Sequence, residues 1–98
     1  MIVHLSAEAE HDLETIGDYI AQDNPARAIS FLRELRVKCL GLSGHPERFP
    51  LVPRLEGLGV RRRRHGNYLI FYRVEADKVV IIHILHGAQD YGAMLFPD

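Results

Sequence analysis

The sequence predicts an α+β domain in which a helical hairpin lies over a small, mainly antiparallel sheet, in the order β-α-α-β-β-β. Three observations carry this. Two successive apolar stripes step by three and four residues as far as Leu42. Three strand candidates after residue 59, the last two of them apolar, are separated only by short turns. Between the halves, residues 44–59 hold three Pro and three Gly and show no period. A chain of 98 residues has the size of one domain, so residues 1–98 are expected to share a single fold.

Ile2–Leu5 alternates as a short strand, with Ile2 and His4 on one face and Val3 and Leu5 on the other. Ser6 is a good N-cap, and Glu8 and Glu10 suit the positive end of a helix dipole. Ala9, Leu13, Ile16 and Ile20 then form one stripe of a helix over residues 7–22. Asn24 caps a second helix and Pro25 occupies its first turn, where a missing N–H costs nothing. Its stripe runs Ala28, Leu32, Leu35, Cys39 and Leu42, widened by Ile29, Phe31 and Leu40. With so short a link, the two helices must fold back on each other.

Residues 44–59 are expected to cross the surface as an ordered loop. Strands follow at Val60–Arg64, Tyr68–Glu75 and Val79–Leu85, joined as hairpins through His65-Gly66-Asn67 and Ala76-Asp77-Lys78. The last two are apolar on both faces, as central covered strands are. His86 to Asp98 reads as irregular.

Several function classes are excluded at once. The longest aliphatic run, Val79–Ile82, is far below the roughly 20 residues that a membrane span needs. Met1–Leu5 is too short for the apolar region of a signal peptide, so a cytoplasmic location is expected. A lone Cys39 allows no internal disulfide and reads as a small buried apolar residue. Phosphate-loop, dinucleotide and serine-hydrolase motifs are missing. His83 and His86 diverge on an extended strand, so no metal or other cofactor is expected.

The formal net charge of −1 hides a sorted distribution. Residues 1–23 carry six acids and no Lys or Arg, whereas residues 24–64 carry ten basic residues against three acids. Ten of the twelve basic residues are Arg, whose fork grips carboxylate or phosphate bidentately. Arg61-Arg62-Arg63-Arg64 concentrates that charge on one strand. Alternation sends Arg61 and Arg63 to one face, and Arg62 and Arg64 to the other with Val60. The run either faces a partner or protects a sheet edge. Arg73, one strand over, extends the same basic zone. RNA cleavage would need a base, an acid and cations over the phosphate. Candidates are abundant (His65, His83, His86, Glu56, Tyr91), but no pair is singled out.

The element order, the strand GVRRRR, the run YLIFYRV and the ending IHILHGAQDY together resemble the ParE toxins of the RelE/ParE superfamily of toxin–antitoxin systems. The opening AEAEHDLETIGDYI is similar to that family's first helix, and the resemblance spans essentially the whole chain. It implies the RelE/ParE-like fold and an inhibitor that binds DNA gyrase and is neutralised by a ParD-like antitoxin, with DNA met only through gyrase or antitoxin. Catalytic residues are then none. The expected target-binding residues are Arg61, Arg62, Arg63, Arg64, Arg73 and His86. The expected antitoxin-binding residues are Arg27, Ile29, Phe31, Arg33 and Arg36, with Ile29 and Phe31 either lining a groove for a partner helix or packing on loop 44–59. The RelE-type alternative is a ribosome-dependent mRNA endoribonuclease using Arg73, His83, His86 or Tyr91; a third is a non-toxic relic that binds antitoxin. In the nuclease branch an Arg stands four residues before the Arg of Tyr-Arg-Val, and here that position is Leu69. Gln89 stands where many ParE-like relatives carry Arg.

Overall fold

Val3 and Leu5 turn inward from the first strand, β1 (Ile2–Leu5), while Ile2 and His4 face out. Ser6 ends it and starts α1 (Ala7–Ala21). Its Oγ accepts from the Ala9 N–H at 3.0 Å and donates to the Ile82 carbonyl at 2.8 Å, so one hydroxyl caps a helix and ties it to the sheet. Asn24 caps α2 (Pro25–Leu40) through the Arg27 N–H at 3.0 Å. The hairpin closes tightly at Gly17, where an added Cβ would lie 2.8 Å from Leu32 Cδ1. These features belong to a computed structural model that describes residues 1–95.

The remaining strands are β2 (Val60–His65), β3 (Tyr68–Glu75) and β4 (Lys78–His86), and the sheet order is β1-β4-β3-β2. β1 runs parallel to β4; the other pairings are antiparallel. Gly66 turns the β2–β3 hairpin at a φ of 59° that favours glycine. Phe71 faces His83 and Tyr72 faces Ile81, so Ile82 is the extra residue of a bulge.

Both sheet faces are covered. Leu13, Ile16, Leu35, Cys39 and Leu42 from the helical layer meet Ile70, Tyr72, Ile81 and Ile84. On the opposite face, Val52, Val60, Leu69, Phe71, Leu85 and Leu95 form a second core. This accounts for β3 being apolar on both sides.

Three expectations need correction. The tail is not wholly irregular: Tyr91–Leu95 forms a short helix, α3, because Tyr91 and Leu95 pack on the second core. Its five residues are too few to show a period. The core stripe of α2 runs through Phe31 rather than Leu32, which stays half-buried at the hairpin seam. Phe31 is 8% exposed, and its ring centroid lies 5.0 Å from His65 and 5.6 Å from Tyr68. It therefore offers no groove to a partner, and these two rings belong to the β2–β3 hairpin rather than to loop 44–59. That loop itself bridges to β2: the Val52 N–H donates to the Val60 carbonyl at 2.8 Å, and the Arg62 N–H donates to the Pro50 carbonyl at 3.1 Å. Residues Glu56–Leu58 within it make one 3-10 turn.

Candidate functional site

The alternation of β2 splits the four arginines as expected, but the two sets do different work. On the helical side, Arg61 Nη1 donates to the carbonyls of Phe49 at 2.7 Å and Glu47 at 3.2 Å. Arg63 Nη1 donates to the Lys38 carbonyl at 3.0 Å, and its guanidinium stacks 4.8 Å above the Phe49 ring. Both are half-buried and hold the loop and the end of α2 against the sheet. Two of the four arginines expected to contact a target, Arg61 and Arg63, are thus engaged by carbonyls of this chain. On the other side, Arg62 Nη1 donates to the Tyr91 hydroxyl at 3.2 Å, and Arg64 is exposed. Arg73 sits opposite Val60 and pairs with Glu75, whose carboxyl it holds below the usual range.

Edge protection is also present. Loop residues 50–52 cover β2 as far as Arg62, after which the strand opens into a notch of about 440 Å³ where Lys38 meets Arg62, Arg63 and Arg64. Leu69 lies opposite Arg64 in register, is 4% exposed and belongs to the second core. No cation stands at that position.

His86 is removed from the arginines. Its ring stands edge-on to Tyr68 at 5.2 Å, and its Nδ1 accepts from the Ala88 N–H at 3.1 Å. Gln89 Oε1 accepts from the His86 N–H at 2.8 Å. An arginine in place of Gln89 has no acceptor for that bond. These residues border a cleft of about 670 Å³ along α1, walled by His11, Thr15 and Tyr19.

One pair was not legible beforehand. His83 Nδ1 lies 2.7 Å from Asp12 Oδ2, which also accepts from the Ile84 N–H at 2.8 Å. Asp12 thus closes the edge of β4 just past the end of β1. Its only sequence signal is a carboxylate off the α1 stripe, and its partners lie 71 and 72 positions away.

The expected antitoxin residues are spread along α2. Ile29, Val37 and Leu40 are 63%, 63% and 58% exposed and, with Arg33 and Arg36, line a shallow groove of about 380 Å³. Val37 was missed because it lies off the stripe by which core residues are recognised. Arg27 pairs with Glu34 at 2.6 Å, lowering the Glu34 carboxyl, and Arg36 pairs with Glu10 across the hairpin at 3.1 Å. Among the described residues no group of three His, Cys, Asp or Glu converges for a metal.

A helical hairpin on a four-stranded mixed sheet with an arginine-rich edge defines the class: the small α+β toxin fold of toxin–antitoxin pairs. Residues 3–91 match the ParE toxin of the type II toxin–antitoxin system parDE, and the chain belongs to that family. Among solved structures it is similar to a chain of the chromosomal ParDE system of P. aeruginosa, with a TM-score of 0.74 and 21% identity over 88% of this chain and 95% of that one. It is also similar to a chain of the RelBE2 toxin–antitoxin complex of Mycobacterium tuberculosis, with a TM-score of 0.65 and 27% identity over 90% and 92%. No curated protein sequence matches significantly. No helix among the described residues is long and apolar enough to cross a membrane.

Proposed function

We propose that this ParE-family toxin acts in the cytoplasm as an inhibitor that binds DNA gyrase, traps it on cleaved DNA and is neutralised by a ParD-like antitoxin. The observation that carries inhibition over RNA cleavage is Leu69. A buried aliphatic side chain stands where a strand-borne guanidinium would have to hold the scissile phosphate. Losing such a group removes on the order of 10²–10³ in rate. The outward arginines Arg62 and Arg64 are then the principal target contacts. Arg73 contributes less because Glu75 neutralises it, and His86 borders a separate cleft. The antitoxin-facing surface is the Ile29–Leu40 groove, where exposed apolar side chains alternate with Arg33 and Arg36 and suit an acidic amphipathic helix.

The test is a gyrase supercoiling assay with purified toxin. Inhibition accompanied by accumulated cleaved DNA is the expected result. Cuts in mRNA on translating ribosomes, with supercoiling untouched, would overturn this reading in favour of a ribonuclease. Inactivity in both assays, with antitoxin still bound, would leave a relic.

A further inference from the structure

Among the described residues, ion pairs engage three of the Lys and Arg side chains. Arg27, Arg36 and Arg73 each pair with a glutamate. Around the notch on β2 no carboxylate stands in the lining, and none of Lys38, Arg62, Arg63 and Arg64 forms an ion pair among the described residues. Three of them are held instead by neutral oxygens: Arg62 by the Tyr91 hydroxyl, Arg63 by the Lys38 carbonyl and Lys38 by the Arg64 carbonyl at 3.3 Å. A neutral acceptor orients a cation without cancelling its charge, so the arrangement concentrates positive potential in one concavity. The ladder alternation also turns the Arg64 N–H outward, on the same edge as the Arg62 N–H, beyond the point where Pro50 covers the strand.

We propose that this notch is a binding site for the phosphodiester backbone of a nucleic acid. Paired guanidiniums with an ammonium match the two non-bridging oxygens of a phosphodiester, and the outward N–H adds a directed donor. Phe49, Pro50 and Leu69 supply the apolar part of the wall, which lowers the local dielectric beside the cations. The site does not rest on gyrase being the target, because it requires the isolated toxin to touch the backbone directly.

The test is fluorescence anisotropy of the purified toxin with a short labelled DNA duplex and, separately, with single-stranded RNA of the same length, over a salt series. Binding whose affinity falls with salt is expected, and the two arms identify which backbone is preferred. The double variant Lys38→Gln/Arg64→Gln should bind more weakly to every sequence, with a log–log salt slope reduced by about two, roughly one per cation lost. Arg64→Gln alone, an exposed site where folding is not at stake, should lower it by about one. Arg27→Gln removes equal charge from a paired site and should leave the slope unchanged. Equal slopes for Arg64→Gln, Arg27→Gln and wild type, or no binding of either nucleic acid at low salt, would overturn the site. Gyrase inhibition that persists in that case leaves the proposed function standing.

Discussion

Cys39 shows how burial decides the chemistry of a single residue. It is fully buried between the helices and the sheet, and that desolvation pushes its thiol up to about 11. Only the thiolate attacks alkylating reagents, so at pH 8 labelling is expected to proceed no faster than unfolding exposes the group. The raised pKa also sets a sign for stability. The contribution is complete below the unfolded thiol's pKa and is lost as pH rises from about 9 to 11. Denaturant titrations of wild type and Cys39→Ala should therefore show a stability gap that narrows by roughly 2–3 kcal/mol across that window. A gap independent of pH would mean the thiol is not desolvated. Asp12 tests a different residue-scale claim. Asp12→Ala leaves the Ile84 N–H without its acceptor and His83 without its partner, and is expected to cost about 2 kcal/mol. Asp12→Asn keeps an acceptor oxygen and should cost less. Cys39 was readable in the sequence as a buried apolar position, because it falls on a helical stripe. The Asp12–His83 pair was not, because no local pattern encodes contact between α1 and the last strand.

At the scale of elements, the arginine strand serves the fold as well as a partner. Arg61 binds two loop carbonyls, and the Tyr72 hydroxyl donates to a third, at Pro46, at 2.6 Å. Arg61→Ala is expected to destabilise by roughly 1–2 kcal/mol and to make loop 44–59 the first site of limited proteolysis. Cleavage elsewhere, with the loop intact, would show that the loop is held by other contacts. The helical hairpin depends on a different feature, the close approach at Gly17. Gly17→Val drives a branched side chain into Leu32 and should cost about 1–3 kcal/mol by overpacking, read from the thermal midpoint. Element types and boundaries were legible from Ser6 to Leu40 because caps, Pro25 and the stripes are local signals. α3 was not, because a single turn of helix exists there only by packing Tyr91 and Leu95 on the second core.

Over the whole molecule, charge and apolar exposure divide the surface into a basic sheet edge and an apolar α2 groove. Charge reversal at Arg62 and Arg64 should weaken growth arrest while the circular dichroism spectrum stays folded. Wild-type arrest by that double variant would remove the sheet edge from the toxic mechanism. Ile29→Asp places an acid on the groove proposed for an acidic antitoxin helix. Its toxicity should no longer be relieved by co-expressed antitoxin; full relief would move the antitoxin elsewhere. The sequence by itself determined the helical hairpin, the three C-terminal strands and the sorting of arginines into one segment, since each follows from spacing or composition between near neighbours. Only the tertiary structure decided which side chains spend themselves internally. Phe31 went into the core and Arg61 and Arg63 onto loop and helix carbonyls, while Arg62 is oriented by the Tyr91 hydroxyl with its charge uncancelled, and Arg64 and the α2 groove stay exposed. The physical reason is that a polar or apolar side chain is committed by whatever partner the fold brings within reach. For these residues that partner lies on another element, often tens of positions away.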